Sequence, residues 1–483
     1  MEDPRSTSAV TQIFSGRCMG GRKRKIRESA ADLEFFFPSD CFLVKSFNRI
    51  PTKAEWNRFR KYARGMRALK VDASQDLFAP EVLSALQLRT GNDPFLPRLC
   101  SCQCTEVTEQ FIPFIPLLLS QQIENISVTF ARTSPIVMVA STISRFPTWS
   151  PNIQRLYLTH LPRNPLITEA VSEMVLACNR DTLRVFVVTS SLTEEARRVL
   201  YTLPKLRLLS AVLRGPTSLP PVVLPDLAGV SVAYDHGSDW LQLFLGGTFG
   251  KLGTVTFFPS GSAQIDGFLE KFQSAAVSFQ DTLSEFRFRT LQSWSPSYSS
   301  LLAFKQLKIL EVDFSCHTGA GCWSQVDDSV AVSIAQAMPR MEILRLGREP
   351  CSNPTGLTLK GLVALAHHCP QLSKLRVHLH LEELAEAMTR TNPMSLSEPV
   401  AIPRMECALT ELQVGEAPFP PEASLTIALA LVQLFPRIHT IEYLNSPWKS
   451  VVDSITLFNN VGGHIYHTSK MPPAPYSDGL IDI

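Results

Sequence analysis

Between Ala364 and His380 the chain reads ALAHHCPQLSKLRVHLH, and five potential metal ligands fall within it: His367, His368, Cys369, His378 and His380. Imidazole and thiolate are the donors that hold zinc, and a structural zinc site needs about four of them at one point. A second group, CSCQC at 100–104, places three thiols within five residues. Whether either group could bind a metal depends on the elements that carry it.

Those elements repeat. The segment PQLSKLRV sets Leu372, Leu375 and Val377 in an L-x-x-L-x-V pattern. The same spacing recurs in MPRMEILRL (Met341, Leu344, Leu346), KQLKILEV (Leu307, Leu310, Val312), DTLSEFRF (Leu283, Phe286, Phe288) and NIQRLYL (Ile153, Leu156, Leu158). Fourteen copies run from GMRALKV, anchored at Met66, to RIHTIEY, anchored at Ile438. The mean period is about 29 residues, at the top of the leucine-rich-repeat range, with single spacings from 21 to 37.

Each triplet predicts a short strand with one apolar side. Between triplets lie helical patterns. In TLKGLVALAHHCP, Leu359, Leu362, Val363 and Ala366 fall on one helix face,. In DDSVAVSIAQAMP, Ala331, Ile334, Ala335 and Met338 do the same, with Asp328 placed to cap the start,. Pro370 and Pro339 follow as stops,. One strand and one helix cannot hide an apolar face alone, whereas a stack of them can. The predicted fold is therefore α/β: a leucine-rich-repeat solenoid with a curved parallel sheet on its concave face and helices on its convex face.

This frame separates the histidines. His367 and His368 fall at a helix C-terminus, which suits a partly protonated imidazole. Cys369 joins helix to strand, and His378 and His380 follow the next strand. No metal site and no cofactor are expected from them. Cys102 and Cys104 fall on inward strand positions, where cysteine acts as a small hydrophobe.

The bulk numbers set limits. The 483 residues are 45% hydrophobic and 19% charged, with a net charge of +2. That favours a folded core over disorder and gives no general pull toward nucleic acid or a membrane. The eleven cysteines form no even framework, and Met1–Phe14 lacks an apolar signal region, so a cytoplasmic or nuclear site with reduced thiols is expected. SLTIALALVQLF at 424–435 is too short to span a bilayer and predicts a buried helix,. No P-loop, G-x-G-x-x-G after a strand, G-x-S-x-G or H-E-x-x-H occurs,, so no catalytic residues are expected. LFLGGTFGKLG at 243–253 lacks the P-loop ending and predicts a tight turn.

Three stretches carry a more specific likeness: EWNRFRKYARGMRALKV (55–71), GLTLKGLVALAHHCPQLSKLRVHLH (356–380) and LVQLFPRIHTIEYLNSPWKSVVDSI (431–455). With them the chain resembles the F-box-like leucine-rich-repeat proteins of mushroom-forming (basidiomycete) fungi, over roughly residues 45–458. The resemblance implies a non-enzymatic substrate receptor of a cullin–RING ubiquitin ligase. An N-terminal F-box would grip the ligase's adaptor subunit while the repeats present a protein substrate. Residues 1–50 do not spell the family's L-P-x-E-[LI] start. FAPEVLSAL at 78–86 mimics that start but falls between the first two strands, where it predicts an inter-strand helix. The adaptor is a partner only if an F-box exists, and the alternative is a free-standing leucine-rich-repeat scaffold for protein interactions, with no ligase link.

The expected organisation is a basic arm at 1–45, the solenoid at 46–458 and a C-terminal tail at 459–483. Within the arm, Arg22, Lys23, Arg24, Lys25 and Arg27 form a compact cluster that fits either a nuclear-import signal or a solvated tail,. Strand residues between core positions point away from the core. From Glu285 onward these become charged or polar: Glu285, Arg287, Arg289, Glu311, Asp313, Arg345, Lys374, Arg376, His378, Glu411 and Gln413. They predict a mixed-charge strip on the concave face as the docking surface for a protein partner. Charge reversal at Arg287, Arg289 and Arg376 is expected to weaken docking without unfolding the chain. Trp448 is expected to close the C-terminal end.

Overall fold

The computed structural model describes residues 52–73, 88, 95–213, 222–234, 241–245, 247–259, 265, 267–290, 297–314, 326–347, 356–381, 406–414, 419–443 and 447–460. The basic cluster at Arg22–Arg27, the FAPEVLSAL segment and the expected tail beyond residue 460 lie outside them.

The chain divides into two compact units, Met1–Val212 and Leu213–Asp482. In the first, a helix α1 (Lys53–Ala63) precedes six strands. These are β1 (Ala68–Asp72), β2 (Ser101–Val107), β3 (Asn125–Phe130), β4 (Arg155–Thr159), β5 (Val185–Ser191) and β6 (Leu208–Leu213). Each pairs in parallel with the one before it in the chain. The second unit holds β7 (Gly229–Tyr234), β8 (Thr254–Pro259), β9 (Glu285–Arg289), β10 (Ile309–Asp313), β11 (Ile343–Leu346), β12 (Lys374–Val377), β13 (Glu411–Val414) and β14 (Thr440–Glu442). They too pair in parallel and in chain order.

The middle position of every one of the fourteen triplets therefore falls on a strand, and within each unit these positions stand opposite one another. In the first unit Leu69, Cys102, Ile126, Leu156, Phe186 and Leu209 form one row across the sheet. In the second, Val230, Val255, Phe286, Leu310, Leu344, Leu375, Leu412 and Ile441 form another. The period-two alternation of a strand buries this row and the triplet's last residue together. Leu307, Leu310 and Val312 are all fully buried, and each such side chain contributes about 1.5–3 kcal/mol. Leu69 and Val71, on the first strand, are only half-buried.

A backbone device holds the register ahead of the strands. One carbonyl accepts two successive amides from the next repeat. Glu124 O takes Gln154 N at 2.7 Å and Arg155 N at 2.9 Å, and Lys308 O takes Glu342 N at 2.7 Å and Ile343 N at 3.0 Å. The core of the second unit is aromatic near β8 and β9, where Phe257 and Phe268 stand 4.8 Å apart and Phe268 and Phe288 4.6 Å, in the tilted arrangements that rings prefer,.

Helices fill spans between strands, and a last one follows β14. They include α2 (Ile136–Ser144), α3 (Pro165–Ala177), α4 (Glu194–Leu200), α5 (Phe268–Ala275), α6 (Asp328–Ala337), α7 (Leu359–His368), α8 (Ser424–Leu434) and α9 (Pro447–Asn460). Asp327, not Asp328, caps α6, with its carboxylate accepting from Val330 N at 2.9 Å; these hydrogen bonds hold its carboxyl below the usual range. Asp328 instead serves the next helix, accepting from Thr358 N at 2.9 Å and Gly361 N at 3.1 Å. Gly361 has to lack a Cβ there, since one would lie 2.5 Å from Asp328 Oδ1.

The 424–435 segment is helical, but not buried all round. Ile427, Ala428, Leu431 and Leu434 face the core, while Leu425 and Leu429 are exposed. Trp448 on α9 is fully buried against Phe419, their rings 5.5 Å apart. Among the described residues no helix is long and apolar enough to cross a membrane.

Candidate functional site

Parallel pairing turns the sheet face opposite the core into rows of side chains about 4.8 Å apart. In the second unit the middle row runs Thr256, Arg287, Glu311, Arg345, Arg376, Gln413 and Glu442. The row on one side runs Thr254, Glu285, Ile309, Ile343, Lys374, Glu411 and Thr440. On the other side Arg289 stands beside Asp313. The charged residues expected from sequence thus come together on one face, on five neighbouring strands.

They are joined by ion pairs. Glu311 is the hub: its carboxylate meets Arg289 at 3.0 Å, Arg345 at 3.0 Å and Arg287 Nε at 3.4 Å. Its side chain is only 4% exposed, so three guanidiniums surround a carboxylate removed from water. Such charge is tolerated in the interior only when paired. Arg287 also meets Glu285 at 3.3 Å, and Arg289 meets Asp313 at 3.5 Å. Asp313 reaches two strands across to Arg376. Glu411 holds Lys374 at 2.6 Å and Arg345 at 4.0 Å, and Gln413 donates to Glu442.

Burial sets the electrostatics at the β12 end. It lowers the Arg376 pKa from its ordinary value, opposed by the Glu311 carboxylate. His378, half-buried just beyond β12, is pushed down to about 4, first by burial and then by the Arg376 charge, which keeps it neutral at pH 7. The Nε2 of His378 lies over Gly347, where a Cβ would meet it at 3.2 Å; Gly347 also adopts a φ of 84°, a conformation natural to glycine,. Arg376 is 17% exposed and Arg289 46%. Reversing Arg376 would therefore disturb packing as well as docking, whereas Arg289 is open to substitution.

Two further residues of this face carry no charge. Ile309 and Ile343 occupy the same register position as Glu285, Lys374 and Glu411, and they stand side by side, half-buried, on the outward face. The register that selected the charges also marks them.

The histidine and thiol groups lie elsewhere. His367 and His368 end α7 with their rings 4.7 Å apart. Cys369 is buried behind them, its thiol pushed up to about 12 by burial and the neighbouring Cys407. Leu379, between His378 and His380, bridges in parallel to Leu357. Cys102 and Cys104 are both core residues with free thiols whose sulfurs stand 3.8 Å apart, and the Cys104 pKa is raised by the hydrogen bond with Cys102 and by burial. Among the described residues no three His, Cys, Asp or Glu side chains gather closely enough to hold a metal ion.

Among the described residues of the first unit, an acid–imidazole contact joins His160 and Glu106. His160 Nδ1 lies 3.9 Å from Glu106 Oε1, and both residues take left-handed backbone, φ 57° and 51°. Glu106 sits where β2 slips its register against β3. The separation exceeds a hydrogen bond and both side chains are about half exposed, so water screens the pair.

No protein-family model matches the chain, and no curated protein matches it.

Proposed function

We propose that the chain is a non-enzymatic protein-recognition module, a leucine-rich-repeat solenoid that acts as the substrate receptor of an F-box type cullin–RING ubiquitin ligase. The observation that carries the recognition reading is the ordered ion-pair lattice on the outward face of β9–β13, centred on Glu311. Long side chains on a free surface normally lose rotamer freedom on binding, at roughly 0.5–1.5 kcal/mol each. Here ion pairs already hold Arg287, Arg345 and Arg376, so a partner meets a preorganised surface. The ligase link rests on the family resemblance. A free-standing scaffold is the second reading, since the same ion-pair lattice supports recognition without a ligase link.

Co-purification of the full chain with the cullin adaptor subunit separates the two. The receptor reading expects a stoichiometric complex. Its absence, with a folded chain and an adaptor that binds a known F-box protein, leaves the scaffold.

A further inference from the structure

The lattice is balanced in number: Arg287, Arg289, Arg345, Lys374 and Arg376 stand against Glu285, Glu311, Asp313, Glu411 and Glu442. It is not balanced in depth. Lys374, Arg289 and Arg287 are 41%, 46% and 33% exposed, whereas Glu311, Asp313 and Glu411 are 4%, 18% and 20%. Lys374, Arg289 and Arg287 thus stand above Glu311, Asp313 and Glu411, whereas Arg345 and Arg376, at 24% and 17%, lie as deep as Asp313 and Glu411, and Glu285, at 31%, rises nearly as high as Arg287. An approaching molecule therefore meets positive charge first. Each central carboxylate is also shared, Glu311 among three guanidiniums and Glu411 between Lys374 and Arg345, so the exposed cations retain capacity for a further acceptor.

Ile309 and Ile343 lie midway along the side row of this surface. Glu285 and Lys374 bound them at the two ends of the same row, and Arg287, Arg345 and the deeply buried Glu311 stand in the next. An apolar spot ringed by polar groups is the usual anatomy of a binding hot spot, because the ring excludes water from the anchor. We infer that this face binds a short acidic peptide segment of a partner protein, with an aliphatic or aromatic side chain seated on Ile309 and Ile343 and flanking carboxylates meeting Lys374 and the Arg287–Arg345 row. The inference rests on the recognition reading above and adds the chemistry of the partner. A nucleic acid fits less well: its affinity comes from counterion release against a net positive field, and the ten charges here sum to zero.

The test pans a displayed random peptide library against the full chain and three variants, Ile343→Asp, Lys374→Glu and Lys271→Glu, the last an exposed residue of α5. Urea unfolding confirms that each variant folds, and Ile343→Ser replaces Ile343→Asp if it does not. The expected result is a consensus with Asp or Glu flanking an apolar residue. Binding of the synthetic consensus should fall at least about tenfold with Ile343→Asp and Lys374→Glu, and stay unchanged with Lys271→Glu. A basic or neutral consensus that is still lost with Ile343→Asp overturns the acidic class while leaving the face as the binding surface. A consensus indifferent to both face variants overturns the inference and the location together. Recovery of no peptide, binding of polyuridylate lost with Lys374→Glu, or a self-associated chain that becomes monomeric with Ile343→Asp each overturns the acidic-peptide assignment.

Discussion

Glu311 shows what a single residue contributes to this molecule. A carboxylate between two arginines on one neighbouring strand and one on the other would be expensive to bury alone, yet it is almost out of contact with water. Removing it leaves three guanidiniums without their common partner. Glu311→Ala is expected to cost about 3–5 kcal/mol, the range for breaking a buried pair. Arg289→Ala, from the exposed rim of the same network, is expected to cost about 1 kcal/mol or less. Urea unfolding of the two variants provides the check, and equal small losses would show that the hub is solvated. The charge at position 311 was legible in the sequence, since strand alternation places it on the face opposite the core. Its burial was not, because that depends on which strands stand on either side, and the three arginines come from positions 287, 289 and 345. Ile309 and Ile343 escaped for a different reason. Apolar residues in an apolar strand look like core until the register is applied to them.

Elements in this chain are joined to their successors by contacts about one repeat apart. Asp328 on α6 accepts from the backbone of Thr358 and Gly361 at the start of α7. A cap normally comes from the helix's own flank, and Thr358 supplies one too, accepting from Lys360 N at 3.2 Å. The additional bonds from Asp328 tie one repeat to the next. Gly361→Ala would drive its methyl into Asp328 Oδ1 and Leu357 Cδ1, which lie 2.5 and 2.4 Å from the required Cβ position. A Gly→Ala change within a helix would otherwise stabilise by up to about 0.5–1 kcal/mol. Here a loss of about 1–3 kcal/mol is expected, as for overpacking, and thermal unfolding gives the sign. The helix pattern of α6 and α7 was readable from apolar spacing and proline stops. The choice between adjacent aspartates was not, because it turns on a partner some thirty residues away. α8 shows the converse limit. Its composition reads as buried, and Ile427, Ala428, Ala430, Leu431 and Leu434 do pack inward, but Leu425 and Leu429 face out.

At the scale of the whole molecule, one pattern repeated fourteen times gives parallel strands that follow the chain order. That was legible because the triplet states both the strand and its inward side, so even irregular spacings of 21 to 37 residues keep the middle positions opposite one another within each unit, with slips only farther along β2 and β5. The division after Val212 was not legible, since the triplets on either side of it, at Leu206 and Leu227, look like the rest. The account depends on side-by-side strands in the second unit carrying one continuous face. The direct measurement is a distance between spin labels on keto amino acids placed at Thr254 on β8 and Glu411 on β13, two half-buried positions on the outward face. They lie five strand steps apart in the same row, so a narrow distribution near about 24 Å between backbones is predicted, broadened only by the labels. A broad distribution, or one centred well beyond that value, would contradict the row and with it the binding face.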